Sequence, residues 1–218
     1  ITASHDGAAR IWDSVSGRSI LTINSHDHDW IAFAAFDPAG ERIVTSSGDE
    51  VGHTWDASTG THLQEVGGHR DAVDAAAFDR TGKRLVTASH DRTAGIWRAD
   101  NGERLMTLKG HDGPVTAAAF DNGSKRVVTA SHDGTARIWN ASNGRSLVVL
   151  DGHLNQLESV AFNARDTQVV TASLDQTARI WNAATGAEDV VLEGHTDRVN
   201  AAVFDPCGDR VVTASVSY

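Results

Sequence analysis

The sequence predicts an all-β protein assembled from one unit that is repeated along the chain. Tryptophans recur at steps of 43, 42, 42 and 42 residues, at Trp12, Trp55, Trp97, Trp139 and Trp181. A Thr-(Ala/Ser)-Ser element keeps this spacing from Thr2 to Thr213, and histidines keep it from His26 to His195. Because three markers share one period, the 218 residues are read as a tandem array. Its approximate units are 1–25, 26–68, 69–110, 111–152, 153–194 and a partial unit at 195–218.

Each unit contains four short runs of strand-forming residues separated by turn signals. In the unit that begins at His69, the expected strands are 73–78, 84–89, 93–97 and 104–108. Strands of about five or six residues with a turn every 8–12 residues are typical of all-β proteins. The alanines at 75–77 favour a helix by propensity, but so short a window does not sustain one, and a strand is predicted there.

Composition narrows the classes of function. Hydrophobic residues make up 40% and charged residues 22%, a globular mixture. A net charge of −10 argues against a domain that holds nucleic acid through clustered Lys and Arg. The single cysteine, Cys207, precludes an internal disulfide and fits a reducing, cytoplasmic setting. No apolar run is long enough to span a membrane, and residues 1–4 continue the repeat and are not a signal peptide.

The units resemble the WD-repeat family. Its marks here are Gly-His pairs at 68–69, 110–111, 152–153 and 194–195, a Ser-x-Asp turn, and the tryptophan that ends the third strand. The literal Trp-Asp pair stands at 12–13 and 55–56 only. The resemblance covers the whole chain and implies a β-propeller, in which four-stranded antiparallel blades surround a channel. Near-identical units such as TASHDRTAGIW and TASHDGTARIW look like the repeat domains of bacterial multidomain signalling proteins.

The number of repeats in this chain differs from the number of blades expected for a closed propeller. The resembled propellers usually close with seven blades and sometimes with six or eight, whereas about five repeats are present here. We therefore expect part of a longer array of seven or more blades, with a five-blade ring as the alternative. In that ring, residues 199–204 would complete the blade begun by 1–23, and 210–215 would be one strand too many. An open arc would expose strand edges that invite self-association.

The resemblance also implies a hydrogen-bonded chain of four side chains in each blade. The Asp would accept from turn amides and the His, the His would bond the Ser, and the Ser would reach the indole N–H. These residues are predicted to be structural: His69, Ser89, Asp91, Trp97, His111, Ser131, Asp133, Trp139, His153, Ser173, Asp175 and Trp181.

The second unit departs most from this pattern. Asn24-Ser25-His26 replaces Gly-His, one residue is inserted before Phe36, and VGHTW at 51–55 breaks the TARIW element. Ser47 and Asp49 still match, so the blade is expected to form with an altered first loop. The cluster His26-Asp27-His28-Asp29 resembles a set of metal ligands. We favour a network histidine followed by a solvated loop, and predict no metal or cofactor.

Catalytic patterns are weak. Ser-His-Asp occurs at 4–6, 89–91 and 131–133, but a catalytic triad needs side chains that converge, and adjacent turn residues do not. Among the first strands only Asp74 and Glu158 are acidic, without the recurring pair that glycosidase chemistry uses. The chain is predicted not to be an enzyme, and a five-bladed propeller enzyme is the least favoured alternative.

In WD-repeat proteins, partners often dock on one face, through residues that flank the first-strand Val and the residue before the turn Asp. Carried over position by position, this partner-binding face comprises Trp30, Ala32, Ala72, Asp74, Pro114, Thr116, Gln156, Glu158, Arg198, Asn200, His5, His90, His132 and Leu174. Trp30 is favoured as an anchor because it is the one tryptophan outside the period, although packing into the channel mouth is its alternative role. The three turn histidines predict pH-sensitive binding.

We therefore predict a non-catalytic protein-interaction scaffold, serving as the sensor or docking module of a larger signalling protein. Its partner would be another protein or a peptide, with no nucleic acid and no membrane. A lectin-like or modified-peptide-binding propeller is the alternative and would carry equivalent pockets on several blades. The contact positions differ from blade to blade, which favours one asymmetric protein partner.

Overall fold

A computed structural model describes residues 1–24 and 30–216. Within these ranges every regular element is a β-strand. The strands are β1 (Thr2–Ala3), β2 (Ala8–Trp12), β3 (Ser19–Asn24), β4 (Ile31–Phe36), β5 (Arg42–Ser47), β6 (Val51–Asp56), β7 (His62–Gly67), β8 (Val73–Phe78), β9 (Arg84–Ser89), β10 (Thr93–Arg98), β11 (Arg104–Lys109), β12 (Val115–Phe120), β13 (Arg126–Ser131), β14 (Thr135–Asn140), β15 (Ser146–Asp151), β16 (Leu157–Phe162), β17 (Gln168–Ser173), β18 (Ala178–Asn182), β19 (Glu188–Leu192), β20 (Val199–Phe204) and β21 (Val211–Ser215).

Each repeat forms its own antiparallel sheet, in which strands adjacent in sequence are adjacent in space. Blade 1 is β1–β3, blade 2 is β4–β7, blade 3 is β8–β11, blade 4 is β12–β15, blade 5 is β16–β19, and blade 6 is β20–β21. The all-β class is confirmed, and the strands expected from His69 onward match β8 to β11 to within one residue. The alanines at 75–77 lie in β8, so the helix alternative is wrong.

The blades are held together by hydrophobic cores that lie between neighbours, because neither face of one sheet can be buried by that sheet alone. Val86, Ile96 and Leu108 of blade 3 pack with Val115 and Trp139 of blade 4. The first strands β4, β8, β12, β16 and β20 contact one another in sequence, which places their small side chains along the inside of the array. Within the described residues no strand pairing joins blade 1 to blade 6, so a longer array stays a prediction.

A relay of hydrogen bonds ties blades 3, 4 and 5 together internally, but a threonine occupies its centre. The Nδ1 atom of His69 lies 2.9 Å from Oδ2 of Asp91, and its Nε2 atom lies 2.7 Å from Oγ1 of Thr87. The indole N–H of Trp97 donates to the same Thr87 hydroxyl at 2.8 Å. The prediction that Ser89 bridges histidine and tryptophan is therefore wrong.

The correction follows from strand geometry. Trp97 on β10 stands opposite Leu85, close to Thr87, whereas Ser89 lies two residues further along β9 at the strand end, roughly 7 Å away. The Ser89 hydroxyl instead donates to the Asp71 carbonyl at 3.0 Å and accepts from the Asp91 amide at 3.1 Å. Blades 4 and 5 repeat the arrangement with Thr129 and Thr171 at the centre, while Ser131 and Ser173 bond to backbone.

The chemistry of the relay assigns its protons. Although burial acts to raise the pKa of Asp91, hydrogen bonds from Thr93 and His69 outweigh it and lower that pKa. An ionised Asp91 only accepts, so Nδ1 of His69 carries the proton and Nε2 accepts from the Thr87 hydroxyl. Burial lowers the pKa of His69 more than Asp91 raises it, which keeps the ring neutral at physiological pH.

Blade 2 forms as expected but uses a different histidine pair. The Trp55 indole donates to Thr45 at 2.9 Å, as in the other blades. His53 lies 3.1 Å from Oδ2 of Asp49 through Nε2 and 3.1 Å from Nε2 of His62 through Nδ1. The altered first loop, with the sequence His26-Asp27-His28-Asp29 for which a network histidine and a solvated loop were predicted, lies outside the described residues.

A second recurring set of contacts joins neighbouring blades at the end of the strands opposite the relay. The sequence analysis did not predict it. The Arg84 side chain donates to Asp79 at 3.0 Å, to the Ala141 carbonyl at 3.3 Å and to the Ser124 carbonyl of blade 4. Its guanidinium also lies 5.0 Å from the ring centre of Phe120. Arg42 and Arg126 repeat these contacts, whereas blade 5 has the neutral pair Asn163 and Gln168 at 3.3 Å. The signal was present as an Asp and an Arg five residues apart in successive repeats.

Replacing the central threonine of blade 4, Thr129→Val, tests the relay. The substitution keeps the shape but leaves the Trp139 indole N–H without its acceptor, at a cost of about 1–3 kcal/mol. We expect the urea midpoint to fall with an unchanged slope. The control Thr22→Val makes the same change at an exposed strand position and should alter stability little. Equal effects of the two variants would contradict the relay.

The stability of the fold is expected to decrease as the pH falls from about 7.5 to about 5.5. Burial lowers the pKa of both His69 and His153 below the ordinary value of 6.5. As the pH decreases through this range, the unfolded chain therefore takes up protons that the folded chain does not. The free energy of unfolding consequently decreases as the pH decreases. Urea titrations across the range provide the measurement, and His153→Gln should flatten the slope. A free energy of unfolding independent of pH would contradict the assignment.

Candidate functional site

One end of the array gathers most of the residues carried over as a partner-binding face. Because the strands alternate in direction, the turn after each second strand and the loop before each first strand lie at the same end. Backbone hydrogen bonds of 2.9 Å join them in three blades, from the turn amide to the carbonyl before the first strand: His90 to Ala72, His132 to Pro114, and Leu174 to Gln156. We call this end the turn face.

A chain of ionisable side chains crosses three blades on the turn face. The Nε2 atom of His90 lies 2.7 Å from Oδ2 of Asp74 in blade 3. The ring centres of His90 and His132 are 6.1 Å apart, which links blade 3 to blade 4. The Nε2 atom of His132 lies 3.6 Å from Oε1 of Glu158 in blade 5. The four side chains thus form one continuous strip across the blades, which sequence reasoning had placed only as separate contact positions.

Both carboxyl groups in this strip have perturbed pKa values. Burial raises the pKa of Asp74, against the opposing effect of His90. Burial also raises the pKa of Glu158, with Asp74 acting in the same direction and with His132 and Arg198 opposing. Half-buried carboxyl groups with raised pKa values at a concave surface are characteristic of functional sites, although structural ion pairs produce them too.

Trp30 lies at the other end of the turn face, where blades 1 and 2 meet. Its ring centre is 5.3 Å from that of His5, with the planes tilted by 32°. The Ile31 amide donates to the Ser4 carbonyl at 3.2 Å and joins the same two blades. Trp30 is half-buried and His5 is exposed, so part of this aromatic pair remains accessible.

One predicted contact position is not available to a partner. Thr116 is 9% exposed, and its hydroxyl bonds to the Leu157 carbonyl at 2.8 Å and to the Ala130 carbonyl at 3.3 Å. Its side chain points between blades 4 and 5, so its assignment to the face is wrong. The remaining positions are half-buried at the turn face, and their role in binding stays a prediction: Ala32, Ala72, Pro114, Gln156, Leu174, Arg198 and Asn200.

The literal Ser-His-Asp sequence at 89–91 does not converge. Ser89 bonds to the Asp71 carbonyl, His90 to Asp74, and Asp91 to His69, so the three side chains have three different partners. Residues 1–24 and 30–216 contain no group of three or more His, Cys, Asp or Glu side chains arranged to hold a metal ion. The same ranges contain no helix that is long and apolar enough to cross a membrane.

Comparison with known proteins identifies the repeat. The family model described as "WD domain, G-beta repeat" matches residues 60–98, 102–140, 144–182 and 187–217. Each complete match runs from the last strand of one blade to the third strand of the next. The nuclear distribution protein PAC1 of Mycosarcoma maydis is 41% identical over 44 residues, which are 20% of this chain and 10% of that protein. Since the family matches cover well over half of the residues, the chain belongs to the WD-repeat family.

Proposed function

We propose that the turn face is the docking surface for one asymmetric protein or peptide partner and that the chain acts as a non-catalytic scaffold. WD repeats generally mediate protein–protein interaction, and family members are typically non-enzymatic. The observation that carries the proposal is the strip from Asp74 through His90 and His132 to Glu158. It presents polar, half-exposed groups from three blades as one surface.

The division between repeated and variable residues supports a binding role. The relay and the inter-blade arginines recur from blade to blade, as expected of parts that hold the fold. The turn position instead changes from histidine in blades 1, 3 and 4 to Gly48 in blade 2 and Leu174 in blade 5. Because the turn position is not the same residue in all blades, the face offers no pocket repeated on all of them, which favours one extended partner over several copies of a small ligand.

The proposal extends to the setting of the chain. The near-identical units support a docking or sensor module within a larger signalling protein that acts in the cytoplasm. In that setting the repeats would position a partner and leave the chemistry to other domains. The matched relative contributes a WD repeat to this argument and nothing about its partners, because the match spans 10% of its length.

Replacing Trp30 with alanine is expected to remove partner binding while leaving the fold intact. A photo-crosslinking amino acid placed at Leu174 in cells of the source organism should yield a discrete adduct, identified by mass spectrometry. Trp30→Ala should lower its yield about tenfold, because buried aromatic anchors dominate interface energies. Phe36→Ala, an exposed aromatic at the opposite end of β4, should leave the yield unchanged.

The same crosslinker at Ala184, an exposed turn position at the opposite end of blade 5, controls for random collision. Adducts of equal yield from Leu174 and Ala184, or an adduct insensitive to Trp30→Ala, would refute docking on the turn face.

Binding of the identified partner is expected to depend on pH between about 5.5 and 8, because histidine changes charge in this range. The charged groups around His90 and His132 are Asp74, Glu158, Arg198 and Asp71. Replacing both histidines with glutamine should remove most of the dependence, measured by calorimetric titration at fixed ionic strength. An affinity of the unmodified chain that stays constant across this range would exclude a role for the histidines.

A further inference from the structure

Blade 3 contains a cavity of about 330 Å³, and its origin is a single residue. Two positions before the tryptophan, the described blades carry Arg10, His53, Arg137 and Arg179, but blade 3 carries Gly95. The cavity lies over Gly95 on the outer two strands of the blade, with Trp97 as one wall and with the relay residues His69 and Asp91 beside it.

The neighbouring blades show what normally occupies this place. A β-carbon built on Gly110 would lie 3.2 Å from Nη1 of Arg137, and one built on Gly152 would lie 3.0 Å from Nη1 of Arg179. The strand arginine of each of these blades therefore reaches the loop glycine beside the tryptophan. Its side chain covers the surface that is open above Gly95 in blade 3.

In blade 3 an arginine from the last strand reaches the same loop. Arg104 donates to the Gly68 carbonyl, and its guanidinium carbon lies 4.7 Å from the ring centre of Trp97. This contact fixes the guanidinium group at one edge of the cavity, while the Trp97 ring is the side chain that lies against Gly95.

At two positions around the cavity, blade 3 carries a cation where blade 4 or blade 5 carries a carboxylate. Opposite the tryptophan, blade 5 carries Glu188, which pairs with Arg179, whereas blade 3 carries Arg104. Opposite the strand threonine, blade 4 carries Asp151, whereas blade 3 carries Lys109 opposite Thr93.

Arg70 adds a third cation to the lining of the cavity. Within residues 1–24 and 30–216, Arg70, Arg104 and Lys109 form no ion pair.

The one carboxylate in the lining does not neutralise these cations. Asp91 accepts hydrogen bonds from His69, the Arg70 amide, and both the amide and hydroxyl of Thr93. Asp91 stays ionised within the relay and offsets one of the cations, so the three cationic side chains leave the lining with a net positive charge.

We infer that this cavity is a binding site for a compact oxyanion of the phosphate monoester class. A phosphate carries about two negative charges and three acceptor oxygens, which suits two arginines and a lysine. A nucleotide fits less well, because Trp97 is 1% exposed and Arg104 covers its ring, so no aromatic surface is left for a base. The volume matches the lower end of the range for small-ligand pockets.

Calorimetric titration of the chain with inorganic phosphate and with O-phosphoserine, at low and constant ionic strength, tests this site. We expect saturable binding that weakens about tenfold or more in Arg104→Gln/Lys109→Gln, since charge-assisted hydrogen bonds are lost. Tighter binding of O-phosphoserine than of inorganic phosphate identifies a phosphorylated side chain as the source. Equal or weaker binding of O-phosphoserine overturns the monoester assignment and leaves free phosphate as the ligand.

The control pair Arg145→Gln/Lys125→Gln removes the same charge from exposed positions and should change the affinity by less than about twofold. Gly95→Arg fills the cavity as in blades 4 and 5 and should abolish binding. Its β-carbon would approach Nε1 of Trp97 to 2.5 Å, so its fold is checked by circular dichroism. Absence of saturable binding, or equal losses in the cavity and control pairs, overturns the inference whether or not the Gly95 variant folds.

Discussion

A threonine hydroxyl at the centre of blades 3, 4 and 5 is the interaction on which the rest of the structure depends. It accepts from the tryptophan on the third strand and donates to the histidine of the preceding loop, whose other nitrogen donates to the turn aspartate. Three chain segments far apart in sequence are thereby held at fixed positions. Because the threonine, histidine and tryptophan are buried and each has its partner, losing one leaves a buried polar group without its hydrogen bond.

The relay and the inter-blade arginines act at different levels of the same architecture. The relay sets the conformation within one blade at the turn face, whereas the arginines join blades 2, 3, 4 and 5 in succession at the opposite end. Hydrophobic residues between the sheets supply the remaining stabilisation. With these recurring parts responsible for the fold, the half-exposed turn positions are free to differ, and Gly95 can be tolerated at a place where other blades carry a long side chain.

Several elements could be predicted from residue patterns, and others could not. The strands of blade 3 were predicted closely because turn residues mark their ends. Ser89 was assigned the place of Thr87 because both are hydroxyl residues in one short element, and only the register of β9 against β10 separates them. Thr116 was assigned to the face by position, but its side chain points towards Leu157 of the next blade. The links from His90 to His132 and from His132 to Glu158 join residues of different repeats, which no local pattern relates.

The sequence by itself determined the repeat, the all-β class, the strand bounds of blade 3 and the residues that would form the relay, apart from its central hydroxyl. These properties follow from periodicity and local turn chemistry, which act over a few neighbouring residues. Only the tertiary structure decided which hydroxyl bridges, how arginines join neighbouring blades, which face residues touch one another, and that the cations of blade 3 surround an open cavity. Such contacts depend on the stacking of sheets about 40 residues apart in the chain, and side-chain reach between packed sheets is not encoded in any single repeat.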